Sequence, residues 1–242
     1  MRRSLTSISG SAATTVAPEF LVTPDLLDAI SPPGDSGGMV LGCSNDSEPL
    51  SVSVLRPQPT RLVVVGGLYL ARHIALRAMA AGAWLVIATG RPAAWQVLSQ
   101  AAGHGPGGRP VPVVQVRPLV PAELPRASQD APLLVVHDAG AVPQELFPPR
   151  SPWQTTLYVL PYLHAQASDI AINADLVLLA RLLAEQTQLA AEIWQLPASM
   201  AVQLATLPDD GVVALAPNLW LPMRLVTTPA EHDILGPIRN GD

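Results

Sequence analysis

Two stretches of this chain carry residue types that nucleotide chemistry uses. The first is the apolar run Val63-Val64-Val65 leading into Gly66-Gly67-Leu68-Tyr69-Leu70-Ala71-Arg72-His73. In a P-loop, a strand passes through GxxxxGK[ST] into a helix: backbone N–H groups wrap the phosphates, the Lys grips the outer ones and the Ser/Thr holds magnesium. Counting from Gly66 places Ala71, Arg72 and His73 where the second Gly, the Lys and the Ser/Thr belong. Ala71 restricts the positive φ such a loop favours. The forked guanidinium of Arg72 replaces a compact ammonium, and the imidazole of His73 is not the oxygen donor magnesium takes. A Rossmann turn would need further glycines after Gly67, which are absent. Gly66-Gly67 therefore reads as a tight strand-to-helix turn ahead of a phosphate cradle.

The second stretch is Pro132-Leu133-Leu134-Val135-Val136-His137-Asp138-Ala139-Gly140. An apolar strand ending in Asp has the form of a magnesium-organising strand, but hydrolysis also asks for a following Glu to activate water, and Ala139 stands there. Asp138, with His137 beside it, is open to two readings, a metal-organising carboxylate or a cap on a loop, and the cap is the preferred one. Together Gly66, Gly67, Arg72, His73 and Asp138 make a degenerate nucleotide site, from which no bound cofactor and no catalytic residue are expected.

Whole classes of chemistry fall away on composition. All 14 basic residues are Arg, so the phosphate-gripping, Schiff-base and kinase lysines have no candidate. His73, His104, His137, His164 and His232 are scattered without the spacing of a zinc site, and no Gly-x-Ser-x-Gly elbow occurs. One cysteine, Cys43, allows no internal disulfide and suits a reducing compartment. A net charge of -5 without a basic cluster argues against nucleic acid. Neither a signal peptide nor an apolar stretch of membrane-spanning length is expected. The mean hydropathy of +0.31, with 14% charged residues, leans towards extensive buried surface, partner interfaces included. The five tryptophans, Trp84, Trp95, Trp153, Trp194 and Trp220, read as core, or as interface anchors where exposed.

The elements that must position these residues follow from periodicity. Residues 1–35 read as a flexible arm with one short helix at 23–30, and the Pro/Gly-rich 31–38 closes it. Residues 36–242 read as a single α/β domain. An N-terminal hairpin is expected from 39–42 and 50–55. The run 61–65 reads as a strand covered on both faces, 68–81 as a helix closed by Gly82, and 83–88 as the next strand, a right-handed βαβ unit. A helix at 92–102, a Gly/Pro loop to 110, strands near 111–116, 133–136, 155–160 and 176–179, helices at 183–194 and 198–204, and a hairpin from 211–215 and 219–226 complete the order. The fold class expected is α/β, a mostly parallel three-layer α/β/α sheet of P-loop NTPase or Rossmann type, with hairpins near both ends.

This order of elements resembles the core of FtsK-type translocases and their type VII secretion relatives. Within that group the chain looks most like the soluble domain of the EccE family, through Ala75-Leu76-Arg77-Ala78-Met79-Ala80-Ala81-Gly82-Ala83-Trp84-Leu85-Val86-Ile87-Ala88-Thr89, then Arg91-Pro92-Ala93-Ala94-Trp95, then the strand ending in Asp138. Proteins of that family usually carry N-terminal membrane helices, which this sequence does not show. The resemblance implies a non-catalytic component on the cytoplasmic side of a type VII (ESX-type) secretion complex. Its implied partners are other core proteins of that system, and its contact with the membrane would run only through them. It assigns no catalytic residue and leaves homo-oligomerisation open. The second reading is an enzyme or sensor that binds a nucleotide or sugar nucleotide at the carboxyl ends of the strands, where Gly66, Gly67, Thr89, Gly90, His137 and Asp138 fall.

Overall fold

A computed structural model describes residues 38–103, 112–142 and 149–239. The expected arm and its helix, and the loop with His104, lie outside the described residues. The strands are β1 (Met39–Cys43), β2 (Pro49–Val52), β3 (Thr60–Val65), β4 (Trp84–Thr89), β5 (Val114–Arg117), β6 (Leu133–Asp138), β7 (Gln154–Leu160), β8 (Leu176–Leu179), β9 (Gly211–Ala216) and β10 (Leu219–Leu225). They form one sheet in the order β2-β1-β10-β9-β8-β3-β7-β6-β4-β5. From β8 to β5 all neighbours are parallel, while β9, β10, β1 and β2 add an antiparallel wing. The two expected hairpins thus join each other, with Gly42 opposite Leu225 and Cys43 opposite Arg224.

The helices are α1 (Leu68–Ala80), α2 (Gln96–Ala101) with the 3-10 turn Pro92–Trp95 before it, α3 (Ser168–Ile172), α4 (Ala184–Trp194), α5 (Ala198–Ala205) and α6 (Pro229–Leu235). Strand alternation sorts the core into two faces. Leu62, Val64, Leu85, Ile87, Leu134, Val136, Leu157 and Val159 pack under α1, α2 and α6. Val63, Val65, Tyr158, Leu160, Val177 and Leu179 pack under α3, α4 and α5. Burial on both sides explains why β3, β6 and β7 read as unbroken apolar or β-branched runs rather than as alternating ones.

The end of α1 shows how the sequence sets a boundary. Gly82 has φ +90, its N–H donates to the Met79 carbonyl (3.0 Å), and the Ala83 N–H donates to Ala78 (2.9 Å). These two bonds make a complete Schellman closure, which the left-handed glycine permits. Two elements depart from expectation. The helix α3 and the C-terminal helix α6 stand where none was expected, and α6 begins with a full capping box between Thr228 and Glu231. The Thr228-Pro229-Ala230-Glu231 pattern carries that signal in the sequence.

Candidate functional site

At the carboxyl end of β3 only two residues separate strand from helix. Gly66 adopts φ +97 and donates its N–H to the Leu160 carbonyl of β7 (3.1 Å), Gly67 is extended, and α1 starts at Leu68. A Cβ on Gly66 would stand 3.1 Å from the Ala180 Cβ in a backbone conformation that disfavours side chains, so glycine is needed here for the turn itself. The residues that would arch over a phosphate are already helical: Leu68, Tyr69, Leu70 and Ala71 are all buried in the first turn of α1. What remains are the first-turn N–H groups that any helix presents.

Arg72 and His73 lie further along α1 and turn away from this end. Arg72 Nη1 donates to the Ala94 carbonyl (3.3 Å), tying α1 to the turn before α2. His73 is fully buried, 3.6 Å from Glu231 Oε1 on α6. One turn on, Arg77 donates from Nε and Nη2 to Glu231, from Nη2 to the Val226 carbonyl (2.6 Å) and from Nη1 to the Val40 carbonyl. Arg77 therefore fastens β1, α1 and α6 together. Burial first, then the Arg77 charge, pushes the His73 pKa down to about 4.

Asp138 ends β6, one strand removed from β3 because β7 lies between, which places the two strands about 10 Å apart. Its side chain is 1% exposed and its carboxylate fully engaged. Oδ2 accepts from Thr89 Oγ1 (2.8 Å), Arg91 Nε (2.9 Å) and Trp95 Nε1 (2.8 Å), while Oδ1 accepts from Arg91 Nη2 (2.9 Å). Burial pushes its pKa up, but the hydrogen bonds from Arg91, Trp95 and Thr89 outweigh it and hold the carboxyl below its ordinary value. Thr89 Oγ1 also accepts from the Arg91 N–H (3.0 Å). The carboxylate thus fixes the β4 exit, Thr89-Gly90-Arg91, and the first turn after it. Its lone pairs are directed at protein donors rather than outward at a cation. His137, on the other face of β6, is buried against the Tyr158 ring (4.9 Å between centroids), and burial pushes its pKa down to about 4. Among the described residues no cluster of three His, Cys, Asp or Glu side chains could hold a metal ion.

Two hollows open along the carboxyl edge of the parallel strands and meet at Pro161. One, about 740 Å³, lies beside Gly66 under Tyr162, Arg181, Leu183 and Gln186. The other, about 470 Å³, lies over Asp138 between Gly90, Arg91, Leu119 and Gly140. Arg181 is engaged with Asp209 (2.8 Å) and the Leu207 carbonyl. The five residues singled out by sequence are therefore not gathered in one cavity. Gly66 and Asp138 line neighbouring hollows, while Arg72 and His73 serve contacts on the flank of α1. Thr89, Arg91 and Trp95 complete the Asp138 cluster. Their sequence signal is limited to a polar strand end followed by Arg-Pro-x-x-Trp.

No known family profile matches the chain, and no curated protein matches it. Among solved structures it is similar to VirB4 of Thermoanaerobacter pseudethanolicus, with a TM-score of 0.51 at 8% identity, covering 83% of this chain and 100% of that one. It is also similar to the genome packaging NTPase B204 from Sulfolobus turreted icosahedral virus 2 in complex with AMP, with a TM-score of 0.44 at 10% identity, covering 72% and 100%. No helix among the described residues is long and apolar enough to cross a membrane. The sheet order, the βαβ unit through the Gly66 turn and the VirB4 likeness together give the chain an α/β fold, a mostly parallel sheet covered by helices on both faces.

Proposed function

We propose that this chain is a non-catalytic component of a type VII (ESX-type) protein secretion apparatus, an interaction module in which the nucleotide site has been converted into scaffold. The observation that carries this reading is the two-residue Gly66-Gly67 connection. A cradle for a triphosphate needs several non-helical residues whose N–H groups converge, and here that length has been absorbed into α1. The engagement of Asp138 by Thr89, Arg91 and Trp95 supports the same reading from the other half of the site. The sequence resemblance to the EccE family supplies the secretion context, and the fold likeness to VirB4 is compatible with it. Its partners would be other core proteins of that apparatus.

The test is calorimetric titration of the full chain with ATP and magnesium. No saturable heat is expected even at millimolar nucleotide. A micromolar isotherm accompanied by phosphate release would overturn the reading. The two hollows meeting at Pro161 favour a second reading, a nucleotide or sugar-nucleotide sensor, because open α/β sheets bind ligands at that edge. A nucleotide and sugar-nucleotide panel in the same titration separates the two. Heat from any member without turnover would favour the sensor.

A further inference from the structure

We propose that the hollow at the amino end of β6 and β7, lined by Arg126 and Arg150, is a docking site for a short acidic segment of a partner protein. Three proline-flanked arginines reach this end of the sheet from separate loops: Arg56-Pro57 ahead of β3, Pro125-Arg126 ahead of β6 and Pro149-Arg150 ahead of β7. They are far apart in the sequence, and sheet order gathers them. β3, β7 and β6 are neighbours whose amino ends pair, Thr60 with Thr155 and Leu133 with Gln154. Proline stiffens each of these loops, which lowers the entropy lost when a partner is bound.

The three guanidiniums have one carboxylate between them. Asp175 Oδ2 accepts from Arg150 Nη2 (3.0 Å) and from the Arg61 N–H (2.7 Å), and its Oδ1 lies 3.8 Å from Arg56 Nη2. Arg150 Nη2 also donates to the Pro59 carbonyl (3.2 Å), while its Nε and Nη1 have no partner among the described residues. Arg126 is exposed and has neither an ion pair nor a hydrogen bond among the described residues. The hollow measures about 400 Å³, and among the described residues no carboxylate lines it. Glu123 and Asp130, the acids of the loop that carries Arg126, stand outside the lining.

Charge and shape together select the occupant. A guanidinium and a carboxylate form charge-assisted hydrogen bonds, bidentate where the fork is open as it is in Arg126. Leu124, Pro125 and Pro152 beside the two arginines suit an apolar residue placed between acidic ones. Nucleic acid fits less well, because no aromatic ring lines the hollow to stack a base and a chain of net charge -5 repels a long polyanion. The inference rests on the reading of an interaction module and names the partner's chemistry. The hollow lies at the opposite edge of the parallel strands from Gly66 and Asp138, so nucleotide binding and peptide binding can each fail without the other.

The experiment uses the full chain and two labelled synthetic peptides, one of leucines interleaved with Asp and Glu, the other identical but with Asn and Gln in their places, followed by fluorescence anisotropy. The acidic peptide is expected to bind in the micromolar range and to weaken as salt rises. The amide peptide is expected to bind at least about tenfold more weakly. Arg126→Gln, at an exposed position whose retained melting temperature shows that the fold holds, should weaken the acidic peptide about fivefold or more and flatten its salt dependence. Arg117→Gln makes the same change in net charge at the far end of β5 and should leave binding within about twofold. Equal binding of the two peptides, no binding of the acidic one, indifference to Arg126→Gln, or an equal loss in Arg117→Gln would overturn the proposal. So would an Arg126-dependent dimer in sedimentation, which assigns the patch to a second copy. Tighter Arg126-dependent binding of a single-stranded oligonucleotide, or Arg126-dependent flotation with phosphatidylserine vesicles, would overturn it in favour of nucleic acid or lipid.

Discussion

Asp138→Ala is expected to destabilise the fold by about 2–4 kcal/mol, the cost of leaving the buried Thr89 and Trp95 donors without an acceptor, and to lower the melting temperature by roughly 10 °C for a domain of this size. The substitution leaves Thr89 Oγ1, Trp95 Nε1 and the Arg91 guanidinium facing one another around an empty acceptor position. Trp95 and Thr89 are buried, so water cannot readily replace the lost oxygens. A magnesium-organising carboxylate behaves in the opposite way. Its lone pairs are held open for the ion, so removing it abolishes activity while stability stays level or rises. Arg91→Met should also destabilise, because it strands the Asp138 charge, and the double variant Arg91→Met with Asp138→Leu should recover part of the loss. Chemical denaturation reads all three. An Asp138→Ala protein as stable as the parent would refute the scaffold role.

Acidification is expected to have the second large effect. His73 and His137 both have folded pKa values of about 4, below the ordinary 6.5, because burial disfavours the imidazolium. A depressed pKa means that the unfolded chain binds these protons first. Their contribution is complete above pH 6.5 and is lost as pH falls from there towards 4. Each histidine carries on the order of 3 kcal/mol, and while both titrate the stability should fall by about 2.7 kcal/mol per pH unit. Glu231 acts lower down. The Arg77 hydrogen bonds, against burial, hold its pKa at about 2, so its contribution is full above 4.5 and is lost progressively as pH falls from there to about 2. Urea midpoints measured from pH 7 to pH 4 check the slope. His137→Phe keeps a ring against Tyr158 and should roughly halve it. Stability that stays flat between pH 6.5 and pH 5 would show that neither histidine is held neutral by the fold.

The scaffold was more legible in the sequence than the site was. Val63, Val64 and Val65 announce a strand buried on both faces, and Gly82 announces the end of α1, because these depend on local periodicity and on one residue's backbone freedom. The order of the strands is not local. Nothing in Thr155-Thr156-Leu157-Tyr158-Val159 says that β7 inserts between β3 and β6, yet that insertion separates Gly66 from Asp138. The partners of Asp138 were hidden for the same reason. Thr89, Arg91 and Trp95 lie 43 to 49 residues away and meet it only because β4 pairs with β6 in the register Thr89 opposite Asp138. Counting along a P-loop puts Arg72 and His73 in the places of Lys and Ser/Thr. The early start of α1 carries them instead onto the helix flank, towards Ala94 and Glu231. The capping box of α6 is written in Thr228 and Glu231, only three residues beyond the end of β10.

In the proposed reading the backbone from Gly66 to Leu68 forms a closed turn and not a receptor for phosphate. Amide resonances of Gly66, Gly67 and Leu68, followed by NMR while ATP and magnesium are titrated to millimolar concentration, read that backbone directly. These three resonances are expected to stay where they are. Saturable, co-ordinated shifts of all three would contradict it.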